Sequence, residues 1–64
     1  MKSNMARLRK EKGYTQKELA VKTGLSRETI ARYETGVIKR PNHDVLKMVA
    51  KELETTIDEL EEEE

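Results

Sequence analysis

Residues 15–36 read TQKELAVKTGLSRETIARYETG, and this segment predicts two short helices joined by a tight turn. Thr15 and Glu18 have the spacing of a capping box, in which a threonine hydroxyl and a glutamate carboxylate bond free amides at a helix start. The first helix is therefore predicted to begin at Gln16. Gly24 predicts its end, because glycine tolerates the positive φ of a helix C-cap.

The second half of the segment predicts another helix. Ser26 is a favourable N-cap, and Gly36 marks the end. Between them, Ile30 and Tyr33 form an apolar stripe at helical spacing. Because the connecting turn is so short, the two helices must cross steeply, and Ala20 is small where Ile30 approaches the first helix. Such a pair needs the rest of the chain to bury its apolar side chains.

Apolar, small and glycine residues occupy characteristic positions counted from Gln16. They are Leu19, Ala20, Gly24, Leu25, Ile30 and Tyr33. The pattern resembles the helix-turn-helix of the phage-repressor and Cro-like (XRE) family of DNA-binding proteins. The likeness continues through the flanking segments LRKEKGYTQKELA, RYETG and KRP. The resemblance implies an all-α, lambda-repressor-like DNA-binding domain of five short helices, with the helix-turn-helix at the second and third.

Composition limits the chain to one small domain. Sixty-four residues support only a modest core, and the absence of cysteine excludes disulfides and thiolate metal sites. No apolar run reaches membrane-spanning length, and the start, MKSNMARLRK, lacks the apolar block of a signal peptide, so a cytoplasmic protein is expected. The sole histidine, His43, has no partner at metal-ligand spacing and is expected at the surface.

Charge is divided unevenly along the chain, although the formal total is zero. Residues 1–53 contain all 13 Lys and Arg and six acidic residues, which leaves +7. Residues 54–64 contain seven acidic residues and no basic one, which gives −7. The basic body is expected to meet an anionic partner. We assign residues 1–60 to the domain and residues 61–64 to an acidic tail, expected to fray because adjacent like charges repel.

The flanking segments predict three further helices. Ser3 is the expected cap of a first helix from about Asn4 to Lys12, which Gly13 ends. Asn42 is the expected cap of a fourth helix. The apolar face of that helix consists of Val45, Leu46, Met48, Val49 and Leu53.

Two features mark the last part of the chain. The family commonly has a glycine where this chain has Glu54. A non-glycine residue is strained at positive φ, so the end of the fourth helix is expected to be displaced. Thr56 and Glu59 have capping-box spacing, and Ile57 and Leu60 are the apolar residues of a short fifth helix.

The third helix carries the residues expected to contact bases. With Ile30 and Tyr33 facing inward, its outward positions are Arg27, Glu28 and Arg32, which are also the family's principal base-contacting positions. A guanidinium can bond O6 and N7 of guanine together, so Arg27 and Arg32 are the expected readers, unless they are merely solvated. Glu28 either accepts a hydrogen bond from the amino group of cytosine or pairs with Arg32 and aims that guanidinium.

Other polar residues are expected to contact phosphate groups. Gln16 stands at the amino end of the second helix, where free amides favour an anion, and the family contacts the DNA backbone there. Lys39 and Arg40 match the family's basic loop, although a solvated loop would have the same composition. The resemblance also pairs Arg9 with Glu34 as a structural ion pair between the first and third helices; Arg9 alternatively leans toward a phosphate.

The leading functional hypothesis is a sequence-specific regulator of transcription that binds double-stranded DNA, with repression as the expected effect. It would bind a palindromic operator as a homodimer, with its two third helices one turn of DNA apart. Possible dimer contacts are the apolar residues Val37, Ile38, Ile57 and Leu60. Val37 alternatively covers the core.

A second hypothesis is a protein-interaction module on the same scaffold, either antitoxin-like or a bridging factor, whose seven acidic residues within 54–64 dock a basic partner or mimic DNA. The two arginines on the outward face count against it. An enzyme is the weakest hypothesis, because the chain has no Cys, no partner for its His and no glycine-rich phosphate loop. No metal, cofactor or small-molecule ligand is expected.

Overall fold

The computed structural model describes residues 3–61, and within them the chain forms five α-helices and no strand. The helices are α1 (Met5–Glu11), α2 (Gln16–Thr23), α3 (Arg27–Thr35), α4 (His43–Glu52) and α5 (Ile57–Leu60). The predicted all-α class and five helices are confirmed. None of the described helices is long and apolar enough to cross a membrane. Of the predicted acidic tail, residues 62–64 lie outside the described part, so its fraying stays a prediction.

Side-chain caps set the starts of the central helices, as the sequence predicts. Thr15 Oγ1 accepts a hydrogen bond from the Glu18 amide at 3.0 Å. The Glu18 carboxylate accepts one from the Thr15 amide at 2.9 Å, which completes the capping box. The Ser26 hydroxyl accepts a hydrogen bond from the Thr29 amide and caps α3, and the Asn42 side chain caps α4. These caps satisfy amides that have no partner within their helices.

The start of α1 is tied to the end of α5. The Asn4 amide donates to the Leu60 carbonyl at 3.0 Å, and Asn4 Nδ2 donates to the Glu59 carbonyl at 2.9 Å. Because the last carbonyls of a helix lack partners within it, these bonds satisfy the end of α5. Ser3, the predicted cap of the first helix, accepts from the Met5 amide through Oγ at 3.1 Å.

Residues at positive φ end four helices. Gly13 at φ 81° follows α1, and Gly24 and Gly36, both at φ 77°, end α2 and α3, all as predicted. Glu54 does the same after α4 at φ 56°, so the expectation of a displaced helix end is wrong. The Thr55 amide donates to the Ala50 carbonyl at 2.9 Å. This is the bond of a Schellman motif, and it holds the backbone in a glycine-like conformation despite the Cβ of glutamate.

The core lies between all five helices. Its buried apolar residues are Met5, Leu8, Leu19, Ala20, Ile30, Tyr33, Leu46, Val49, Ala50, Leu53 and Leu60. Met48 is 41% exposed, so its predicted place on the apolar face of α4 is wrong. Ala50 is buried instead, because the positions three, four and seven residues after Leu46 share one side of a helix and Met48 does not.

The region of α5 departs from prediction in two ways. Leu60 is 0% exposed within the core, so its side chain cannot contact a second copy and its predicted place in a dimer interface is wrong. Ile57 is half-buried against the core. Thr56 Oγ1 accepts from the Glu59 amide at 3.1 Å, but the Glu59 carboxylate accepts from the Thr55 hydroxyl at 2.8 Å. The second capping box is therefore only half formed.

Candidate nucleic-acid interface

Helix α3 has one side in the core and the opposite side open. Ile30 is 1% exposed and Tyr33 is also buried, as their spacing predicts. The Tyr33 hydroxyl accepts a hydrogen bond from the Asn42 amide at 2.9 Å, which fixes α3 to the start of α4. The orientation of α3 about its own axis is thus set by two buried side chains and one hydrogen bond.

The open side of α3 carries Arg27, Glu28 and Arg32, which are all exposed; we call these three residues the outer face of α3. None of their three side chains makes a hydrogen bond or ion pair with any residue that the structure describes. Glu28 and Arg32 do not form the intrahelical pair that was one interpretation of Glu28. All three charged groups are available for contacts outside the chain.

A shallow depression opens at the first turn of α3. It is lined by Ser26, Arg27, Glu28 and Ala31. Ala31 is half-exposed and was not among the residues that the sequence singled out, because a methyl group carries no polar signal. The only signal for it is spacing, since the fourth residue after Arg27 and the third after Glu28 lies on the same helix face.

The amino end of α2 is joined to the end of α3. Gln16 Nε2 donates to Glu34 Oε1 at 2.8 Å, a bond that the sequence did not predict. This bond uses one of the two amide hydrogens of Gln16. It fixes the carboxamide at the end of α2 where unpaired backbone amides and the positive end of the helix dipole favour an anion.

Arg9 and Glu34 lie behind this carboxamide as a buried ion pair. The Arg9 Nε and Nη2 atoms donate to the Glu34 carboxylate at 2.6 and 3.3 Å, and Nη1 donates to the Tyr14 carbonyl at 2.7 Å. Arg9 is 8% exposed. Because its three nitrogen atoms already have partners within the fold, this geometry favours the structural role over a phosphate contact by Arg9.

The loop between α3 and α4 carries the remaining predicted residues. Lys39 and Arg40 are exposed and make no hydrogen bond or ion pair within residues 3–61. Val37 is 64% exposed, so the alternative that it covers the core is wrong. Ile38 is half-buried and packs against the core. The loop therefore presents two cations and one apolar side chain to the outside.

Three side chains have shifted pKa values, each with a clear cause. The Tyr14 hydroxyl donates to the Glu52 carboxylate at 2.9 Å, and this bond raises the pKa of Tyr14. The hydrogen bond from the Thr15 amide lowers the pKa of Glu18, and the bond from Lys12 lowers that of Glu54. All three shifts come from contacts that hold the fold together.

Metal ligands do not converge in the described part of the chain. No group of three or more His, Asp or Glu side chains there is arranged to hold a metal ion. His43 is exposed at the first position of α4.

Two helices joined by a tight turn, with exposed charged side chains on the second, are the defining feature of helix-turn-helix proteins. The sequence model of the helix-turn-helix family matches residues 5–60. The chain therefore belongs to the helix-turn-helix family, which confirms its predicted relationship to phage-repressor and Cro-like proteins.

Two regulators show how the chain relates to known proteins. It is 40% identical over 52 residues to the HTH-type transcriptional regulator SlrR of Bacillus subtilis (strain 168), which covers 81% of this chain and 34% of SlrR. The chain thus spans about a third of the length of that relative. It is also similar to the N-terminal DNA binding domain of SinR from Bacillus subtilis, with 30% identity and a TM-score of 0.83 over 94% of this chain and 87% of that one.

A second solved structure contains SinR, the master regulator for biofilm formation, in complex with DNA. It is 30% identical to this chain, with a TM-score of 0.77, and the match covers 83% of this chain and 84% of that one. Together these similarities confirm the predicted fold, with the helix-turn-helix at α2 and α3.

Proposed function

We propose that this chain binds double-stranded DNA in a sequence-specific manner and regulates transcription, with α3 in the major groove. The outer face of α3 carries the proposal, because its three charged side chains are exposed and make no bond to the described residues. The similarity to SinR, whose structure was solved in complex with DNA, supports the same function. The matched proteins are regulators, in agreement with the prediction that the chain is not an enzyme.

Base recognition is assigned to the outer face of α3. Arg27 and Arg32 each bond O6 and N7 of a guanine, and such a bidentate contact discriminates against a wrong base by about 1–3 kcal/mol. Glu28 accepts a hydrogen bond from the amino group of a cytosine. Along the helix axis Arg27 and Arg32 are separated by roughly 7.5 Å, about two base-pair steps, so they read different base pairs of one half-site.

Phosphate contacts surround this helix. Gln16 donates its second amide hydrogen to a phosphate oxygen at the positive end of α2, while Glu34 holds the first. Lys39 and Arg40 bond phosphates from the loop after α3. For about four neutralised phosphates per half-site, the logarithm of affinity falls with the logarithm of salt concentration at a slope of about −3 to −4.

A homodimer on a palindromic operator completes the proposal. Two copies related by a twofold axis present their α3 helices about one turn of DNA apart. Val37 is the main contact, because it is 64% exposed, and the half-buried Ile38 and Ile57 lie at the margin. The protein acts in the cytoplasm, and repression is the expected effect because an occupied operator excludes other proteins from the same DNA.

Selection of bound duplexes from a random library tests this function. We expect a palindrome to be enriched, with guanines in each half-site. Arg27→Ala and Arg32→Ala should each lower affinity for the enriched duplex by about tenfold or more and relax base preference at one position per half-site. Arg7→Ala is the matched control, because Arg7 is an exposed arginine of α1 that pairs with Glu11 at 3.0 Å. It should leave base preference unchanged.

Two results would contradict the proposal. One is the absence of any enriched sequence at low and at moderate salt, which would favour the protein-interaction alternative. The other is an Arg27→Ala, Arg32→Ala double variant that keeps the base preference of the original chain.

A further inference from the structure

Ala31 is the one apolar side chain in the lining of the depression on α3. Ser26, Arg27 and Glu28 form the rest of that lining. Ala31 lies one helical turn beyond the Arg27–Glu28 pair and is half-exposed. Ala31 and Arg27 thus line the same depression on one side of the helix.

The chemistry of a methyl group limits what Ala31 can recognise. It neither donates nor accepts a hydrogen bond, so it cannot distinguish the polar edges of bases. The apolar group that natural base pairs expose in the major groove is the C5-methyl of thymine, and alanine is among the side chains that contact it. A depression lined by a methyl group and by the arginine proposed to bind guanine therefore fits a thymine next to a guanine.

We propose that Ala31 reads a thymine in each half-site through its C5-methyl group, beside the guanine bound by Arg27. This inference rests on the proposed function and deepens it, because it adds an apolar contact to the three charged readers. The expected half-site contains a thymine within about two base pairs of that guanine, since one helical turn advances about 5.4 Å.

The competing explanation is that alanine stands at this position only because it favours helix formation. The two explanations differ in one measurable respect. Helix formation does not depend on a methyl group in the DNA, whereas the proposed contact does.

Replacement of thymine by deoxyuridine isolates that methyl group. The probe is the duplex that the protein itself enriches from a random library, with its thymines replaced one at a time. At one position per half-site, uracil should weaken binding about fourfold, the value of one buried carbon, and replacement in both half-sites about 15-fold. At the same position, 5-methylcytosine paired with guanine should bind about fourfold better than cytosine, because it restores the methyl group.

Ala31→Gly ties the effect to this residue. The thymine-to-uracil affinity ratio should fall to about 1 at the sensitive position and stay unchanged elsewhere. Because both probes are measured with the same variant, any loss of folded protein cancels in the ratio. Arg7→Ala, at an exposed pair on α1, should keep the original ratio.

The outcomes separate this inference from the function on which it rests. If no thymine is sensitive to loss of its methyl group, or if the ratio persists in Ala31→Gly, the thymine contact is refuted while guanine reading by Arg27 stands. If the library gives no enriched duplex at all, the proposed function fails, and the thymine contact fails with it.

Discussion

Glu54 holds a backbone conformation that glycine adopts with less strain. At φ 56° its Cβ crowds the neighbouring carbonyl, and the Schellman bond of Thr55 keeps it there. Glu54 also pairs with Lys12, but its side chain is 75% exposed, so solvent screens that pair. The strain therefore outweighs the contribution of the ion pair.

Glu54→Gly should stabilise the fold. Relief of the strain is expected to raise the thermal midpoint by about 5 °C, measured by circular dichroism. Glu54→Ala is the control, because it removes the carboxylate and keeps the Cβ, and it should melt no higher than the original chain. A glycine variant that melts at or below the alanine variant would show that the ion pair matters more than the strain.

Among the helices, α2 owes part of its stability to a cap that titrates. The bond from the Thr15 amide lowers the pKa of Glu18 below its usual value of 4.5. Since the pKa is lower in the folded state, the stabilisation is complete above the unfolded value and is lost as pH falls through the folded value. The cap therefore contributes at neutral pH and fails in acid.

Glu18→Gln should reduce the acid sensitivity of the fold. Glutamine still accepts the Thr15 bond in a capping box but does not titrate. The thermal midpoint of the variant should therefore fall less between pH 6 and pH 3 than that of the original protein. Glu28→Gln is the control, because the Glu28 side chain has no partner in the described chain. Its thermal midpoint should fall as much as that of the original protein. If Glu18→Gln loses as many degrees as Glu28→Gln, the cap is not a source of the acid sensitivity.

Helix boundaries could be predicted because their causes are local. The caps at Thr15, Ser26 and Asn42 each involve contacts within three residues, and glycine positions identify three of the ends. Predictions that depended on packing were less reliable. Met48 was assigned to a face that it does not share, and Leu60 is more deeply buried than a short terminal helix suggests.

The candidate site was predictable in its exposed part only. Two buried positions, Ile30 and Tyr33, fix which side of α3 points outward, and the outer face follows from helical periodicity. The bond from Gln16 to Glu34 joins residues 18 positions apart and depends on how α2 packs on α3, which no local pattern encodes. The sequence did not single out Ala31, because only the surrounding depression indicates that its methyl group could contact a ligand.

For the whole molecule, one buried cluster joins three helices. Arg9 of α1, Gln16 of α2 and Glu34 of α3 meet through bonds of 2.6–3.3 Å. Breaking a buried ion pair leaves an unmatched charge, which is more destabilising than the loss of an exposed pair. A domain of this size has little stability in reserve.

Glu34→Ala should destabilise the fold by about 3–5 kcal/mol, whereas Glu11→Ala should cost only about 0.2–0.5 kcal/mol. Glu11 is the matched control because it forms an exposed pair with Arg7 on a single helix. Urea unfolding measures the loss of unfolding free energy in both variants. A double variant, Arg9→Met with Glu34→Leu, should recover part of the loss because neither charge is left buried alone. Equal destabilisation by Glu34→Ala and Glu11→Ala would show that the buried ion pair between helices contributes no more to stability than the exposed pair.

The bonds from Asn4 to the end of α5 have a topological consequence. The Asn4 amide and the Leu60 carbonyl are 3.0 Å apart, so the backbone enters and leaves the described fold at the same place. A short engineered peptide from position 3 to position 61 would close the polypeptide into a ring without displacing any helix. Such a ring would have fewer unfolded conformations, would offer no terminus to an exopeptidase, and could be reopened at another turn to give a circular permutant.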